Sequence, residues 1–201
     1  MTAGLAAPST ALLERAIGYA LGSLHLVTPD ALSRPTPCDA WDLRALLVHM
    51  DDSLAALHEA TGYGGVALAP VPHREQAADL VALLRERACG LLGAWTAAPH
   101  RDVVAVGDLG LPTRLLLAAG AVEVTVHGWD VAQACGEPRA IPPVLATELL
   151  GLAPLLVTAG DRPVRFAAAT APPPSAGPES RLLAFLGRHG ESCGASRGSA
   201  G

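Results

Sequence analysis

The residues of this chain that can do chemistry gather in one stretch, Ala121-Val-Glu-Val-Thr-Val-His-Gly-Trp-Asp130. Glu123 and His127 stand four positions apart, and Asp130 follows three further on. On a helix these positions share one face, with the first two Cβ atoms about 6 Å apart. A carboxylate and an imidazole at that separation can hold one metal ion if a third ligand arrives from elsewhere, and His49 is the candidate. Two imidazoles and one carboxylate suit Zn²⁺ with a coordination position left for water or substrate. Nickel or iron would fit the same donors. Spacing alone is weak support, because Glu-x-x-x-His is common and usually makes a surface pair. Asp130 is suited to orienting His127 or a bound water, and equally to capping or a salt bridge.

The element carrying these residues must be a helix for that chemistry to work. The alternation of Val122, Val124 and Val126 with Glu123, Thr125 and His127 is also a strand pattern. A strand would hold Glu123 and His127 about 13 Å apart, too far to share a metal. The flanks favour the helix: Leu115-Leu-Leu-Ala-Ala precedes and Trp129-Asp-Val-Ala-Gln-Ala-Cys follows. Pro112 suits a first turn, and Gly136 followed by Pro138 is a stop. The sequence therefore predicts one helix from Pro112 to Cys135, in which Gly120 and Gly128 each cost about 1 kcal/mol relative to Ala.

His49 needs an element of its own. Arg34-Pro-Thr-Pro-Cys-Asp-Ala-Trp41 cannot be helical with two prolines so close. A helix then starts with Asp42 as N-cap, and Trp41 can pack on Leu46 as a hydrophobic staple. Leu43, Leu46, Leu47, Met50, Leu54 and Leu57 form its buried stripe, with His49 at the edge. His58 lies half a turn around and cannot join the same site. Taken alone, a histidine at the position of His49 is more often a satisfied core or surface residue.

Three further long helices and one short one complete the reading. Ala11 to Val27 carries Leu12, Leu13, Ile17, Leu21 and Leu24 at helical spacing, with Thr10 as N-cap. His25 near its end is read as structural or surface. Arg74 to Ala97 is predicted helical, with Leu80, Leu83, Leu84, Leu91, Leu92 and Trp95 available for the core. Its cations Arg74, Arg85 and Arg87 read as a solvated face; the sharper alternative is that Arg74 or Arg85 reaches the pocket to bind a substrate carboxylate. Residues 102–110 read as a loop or short hairpin, and Pro142 to Ala159 as a strongly apolar fifth helix. From Asp161 the texture changes: an extended segment or strand near Pro163, a stiff Pro172-Pro-Pro-Ser linker, and a short helix over 179–187. The expected organisation is a helical bundle over 1–160, a short strand and helix appendage over 161–190, and a Gly/Ser-rich disordered tail over 191–201.

Composition sets outer limits. Half of the 201 residues are apolar and 16% are charged, which excludes disorder throughout. Aromatics are only 3%, so Leu, Ala and Val must do the packing, and helices suit that mix. A net charge of −5 without a basic run argues against nucleic acid or an anionic membrane as partner. The most hydrophobic stretch, Leu149 to Ala159, contains Pro154 and falls short of a bilayer span. Neither a charged n-region nor a long apolar h-region opens the chain, so no signal peptide is expected. Four cysteines without CxxC spacing fit a reducing cytoplasm. Cys38 reads as a small buried hydrophobe.

Thr36-Pro-Cys-Asp-Ala-Trp-Asp-Leu-Arg-Ala-Leu-Leu-Val-His49 resembles the N-terminal signature of the mycothiol-dependent maleylpyruvate isomerase family. Glu123-Val-Thr-Val-His-Gly-Trp-Asp-Val-Ala is similar to its second signature. Arg181-Leu-Leu-Ala-Phe-Leu-Gly-Arg188 resembles the C-terminal end of a short actinobacterial subgroup. The resemblance implies a mainly α fold: a DinB-like antiparallel four-helix bundle with an extra helix and a short C-terminal extended and helical appendage. It also implies a divalent metal, usually zinc, on His49, Glu123 and His127, with mycothiol as the thiol co-substrate. The isomerase proper carries a larger α/β lobe at its C-terminus, where only some thirty ordered residues are expected here, so the resemblance carries the fold and the metal site but not the substrate. A divalent ion on two neutral imidazoles and one carboxylate keeps a residual charge of +1, and lowers the pKa of a coordinated thiol. Attack of the thiolate on an electrophilic carbon is S-transfer; addition to a conjugated cis alkene, bond rotation and elimination give the trans isomer. The expected partners are a small electrophile and a low-molecular-weight thiol. The competing readings are a non-catalytic metal-binding or interaction protein and a zinc hydrolase using the same ligands.

Overall fold

The computed structural model describes residues 10–38, 41–66, 77–97, 101–162 and 166–188. Six α-helices are present among them: α1 (Thr10–Leu24), α2 (Leu43–Tyr63), α3 (Ala77–Ala97), α4 (Thr113–Ala134), α5 (Pro143–Leu156) and α6 (Pro178–Phe185). Three short strands, β1 (Gly65–Val66), β2 (Val103–Val106) and β3 (Leu109–Pro112), form one small sheet. The β2–β3 hairpin realises the loop or hairpin expected before α4. The parallel pairing of β1 with β2 was not legible, because two residues carry no periodicity.

The four long helices close a ring: α1 packs on α4, α4 on α2, α2 on α3 and α3 back on α1. The apolar stripes predicted from helical spacing are what they bury. Leu13 and Ile17 of α1, Leu43, Leu46 and Leu47 of α2, and Leu84 and Leu91 of α3 are fully buried in one hydrophobic cluster. Each such side chain contributes about 1.5–3 kcal/mol on burial. Ala118, Ala121, Val122, Val124, Val126 and Val131 of α4 lie in the same cluster. That explains the misleading alternation: α4 is packed on several sides, so its apolar residues need not follow a single stripe. α4 is also long and apolar enough to cross a bilayer, yet 78% of that window is buried inside the protein, as a central core helix requires.

Gly128 in α4 has a packing reason that offsets its helix cost. A Cβ there would lie 2.9 Å from the Cα of Ala20 on α1, so the glycine permits the two backbones to approach. Asp42 caps α2 as predicted, its carboxylate accepting from the Ala45 N–H at 2.8 Å. Pro112 precedes the first turn of α4 instead of entering it, with an extended ψ of 127°.

The C-terminal part is more integrated than an appendage. α6 packs on α5, α5 packs on α4, and Leu182, Leu183 and Leu186 belong to the same hydrophobic cluster as the four long helices. The described part of the extended segment, residues 166–169, forms no strand. Residues 163–165 of that segment and the tail over 191–201 lie outside the described residues, as does Arg74.

Candidate metal centre

α2 and α4 bring His49, Glu123 and His127 together. Their donor atoms all lie within 4.8 Å of one another. His49 Nε2 is 2.6 Å from Glu123 Oε1, and His127 Nε2 is 3.1 Å from the same oxygen. The helical reading of α4 is what makes this possible, since Glu123 and His127 sit one turn apart on a face turned toward α2. The two imidazoles meet edge to face with ring centroids 5.0 Å apart. Trp41 lies against His49 at 4.6 Å between centroids, so the N-cap segment of α2 walls the site and restrains the His49 ring.

The arrangement is asymmetric. The His127 side chain is 7% exposed, whereas His49 and Glu123 are 34% and 29% exposed, so the open side of the triad is theirs. On the closed side, His127 Nδ1 lies 3.0 Å from Asp130 Oδ2, and Asp130 is fully buried. Asp130 thus contacts His127 and also makes a salt bridge. Its partner is Arg188, whose Nε donates to Oδ1 at 3.1 Å and whose Nη2 donates to Oδ2 at 2.8 Å.

The local charges follow from this packing. Burial alone would raise the carboxyl pKa of Glu123, but hydrogen bonds from His127 and His49 hold it well below the usual carboxylate range. Burial likewise opposes ionisation of Asp130, and its bonds to His127 and Arg188 more than offset that. His127 is held well above the ordinary imidazole value: burial pulls it down, while Asp130, Cys38 and Glu123 stabilise its charged form more strongly. Arg188 is raised by Asp130 against the opposing effect of burial.

These donors fit a divalent ion. Asp130 engages Nδ1 of His127, which leaves Nε2 aimed at the shared space with Glu123 and His49, the arrangement that metal-bound histidines adopt. Two imidazoles and one carboxylate with a solvent-facing side make a three-ligand set with room for another ligand.

A second cluster shares His127: Cys38, His127 and Asp130 also have donor atoms within 4.8 Å of one another. Cys38 is half-buried, and its Sγ accepts a hydrogen bond from Arg188 Nη2 at 2.8 Å. The cysteine is thus part of a polar network and not simply a small hydrophobe. A fixed guanidinium against two of its three donors makes this cluster a poor cation site.

Arg85 is engaged away from the triad. Its Nη2 lies 2.7 Å from His25 Nδ1, because the end of α1 lies opposite that turn of α3. Arg87 is likewise engaged, with Nε donating to the buried Asp51 at 2.6 Å. The arginine beside the site is Arg188, which sequence reasoning did not single out. The signal was present in Leu186-Gly187-Arg188, a glycine just past a short helix followed by one cation.

The family described as mycothiol maleylpyruvate isomerase N-terminal domain matches residues 13–132. Two Mycobacterium tuberculosis proteins are similar to the chain: uncharacterized protein MT0763 of strain CDC 1551 and uncharacterized protein Rv0738 of strain H37Rv. Each is 30% identical over 171 residues, covering 81% of this chain and 87% of the relative. No solved structure matches significantly.

Proposed function

The chain belongs to the mycothiol maleylpyruvate isomerase N-terminal domain family, and on that premise we propose that it is a metal- and thiol-dependent transferase or isomerase acting on a small electrophile. The observation that carries this reading is the convergence of His49, Glu123 and His127 with one solvent-facing side. A structural zinc is normally closed by four protein ligands; an open three-ligand set favours chemistry. The ring of four helices that positions the ligands is read as the DinB-like bundle, with zinc as the metal and mycothiol as the thiol. A divalent ion held there would supply Lewis acidity and lower the pKa of a coordinated thiol.

The residues of the chain supply the rest. Asp130 fixes the His127 ring from behind, and Trp41 restrains His49 from the side. Glu123 contributes the negative charge that brings a dication down to a net +1 before an anionic ligand joins. The buried flank formed by His127 and Asp130 excludes water, so the reacting partners must enter past His49 and Glu123. A reducing cytoplasm suits such a reaction because it keeps the co-substrate thiol reduced.

The test is conversion of maleylpyruvate to its trans isomer, in which the thiol is regenerated, or thiol consumption with a simple alkylating electrophile, each with zinc-loaded protein and mycothiol. The expected result is turnover that disappears on chelation and in Glu123→Gln. Retention of no metal after dialysis, or thiol loss indifferent to chelation, would overturn the proposal.

A further inference from the structure

Resting on the metal reading above, we propose that Arg188 is a positioning residue for the metal centre, and that the C-terminal segment is therefore part of that centre. Arg188 lies outside the stretch matched by the family, 13–132, and reaches the site from the opposite end of the chain. Its placement is built locally. α6 ends at Phe185, and Gly187 adopts φ +75°, a left-handed conformation that favours glycine. The Arg188 N–H then bonds the Leu183 carbonyl at 2.8 Å, and the Gly187 N–H bonds the Ala184 carbonyl at 3.2 Å. A Cβ at Gly187 would also fall 2.7 Å from the Cβ of Ala167, so the turn has no space for another residue. Leu182 and Leu186 anchor the segment in the core.

The guanidinium so delivered is 7% exposed and uses its donors on the site's own supports. Nε and Nη2 take the two oxygens of Asp130, which fixes the plane of that carboxylate. Asp130 Oδ2, held in that plane, faces His127 Nδ1, which sets the imidazole so that Nε2 points at Glu123. Nη2 also bonds Cys38, three residues before the Trp41 that rests on His49. One side chain thus ties the C-terminal segment to the supports of both histidines. Its positive charge also disfavours a cation in the Cys38, His127 and Asp130 cluster, directing the metal to the open triad.

Zinc affinity of the full-length protein, measured by competition with a chromophoric chelator, tests this, with cobalt(II) absorption as the spectroscopic readout. Arg188→Met should weaken zinc binding about 10–100-fold, the usual consequence of losing an outer partner of a metal ligand. It should also alter the cobalt spectrum. Arg188→Lys, which keeps the charge and the fold but not the two-pronged bond, should recover part of the affinity. Asp130→Asn combined with Arg188→Met leaves no unpaired buried charge, so its folding is secured even if Arg188→Met alone unfolds; its zinc affinity should stay below wild type. Wild-type zinc affinity and cobalt spectrum in folded Arg188→Met or in the double variant would assign Arg188 a purely structural role and overturn the inference, leaving the metal reading intact. A wild-type protein that binds no zinc would overturn the metal reading first and this inference with it.

Discussion

Two clusters meet at His127, and they differ less in their donors than in what surrounds them. His49, Glu123 and His127 offer two imidazoles and a carboxylate; Cys38, His127 and Asp130 offer a thiol, an imidazole and a carboxylate, at the same mutual proximity. The first opens to solvent through His49 and Glu123, with no arginine bonded to its donors among the described residues. The second is closed, with Arg188 bonded to both Asp130 and Cys38. Proximity of ligating atoms is therefore not enough to define a metal site. The neighbouring charge decides: Asp130 is neutralised by a guanidinium that keeps its proton, while Glu123 faces imidazoles that can give theirs up to a metal.

The comparison is broken most forcefully at Glu123. Glu123→Gln keeps the shape and helix propensity but removes the charge that the open cluster relies on. Zinc affinity should fall by more than the about 100-fold expected from the loss of an outer partner. The measurement is zinc content after dialysis, with circular dichroism as folding control. Wild-type content would remove Glu123 from the ligand set.

Asp130→Ala strikes the closed cluster. It leaves Arg188 buried without its counter-charge, which should cost about 3–5 kcal/mol of stability. Urea unfolding of the apo protein reads this directly. A loss under about 1 kcal/mol would mean that the buried pair behaves like an exposed one.

Cys38→Ala separates the two clusters. If the metal belongs to the open triad, zinc stoichiometry should be unchanged, while stability falls by about 1 kcal/mol through the lost hydrogen bond to Arg188. Loss of zinc in this variant would move the metal to the closed cluster.

The smallest effect is expected at Arg15, which pairs with Glu148 at 2.5 Å where the two side chains are 43% and 42% exposed. Arg15→Ala should cost no more than about 1 kcal/mol, and less in high salt. A cost comparable to that of Asp130→Ala would show that burial is not what distinguishes the Asp130 network.

Much of the frame follows from the chain's own local physics. Leu13, Ile17, Leu46, Leu47 and Leu84 recur at helical spacing, and a helix with such a stripe must bury it. Asp42 begins α2 because its carboxylate satisfies an N–H that the helix leaves unpaired. The Glu123 and His127 spacing likewise fixes two donors on one face as soon as α4 is helical. Which partners meet those residues was not local. Arg85 could not be separated from Arg188 by type or charge, since the difference lies in whether folding sets the side chain beside His25 or beside Asp130. Cys38 read as a hydrophobe because a thiol is apolar until a guanidinium is placed 2.8 Å away. The sequence by itself determined the helices and the donor types, because those depend on neighbours within a few residues. Only the tertiary structure decided which donors face solvent, which are neutralised, and that residue 188 returns to residue 130, because those depend on contacts between segments far apart in the chain.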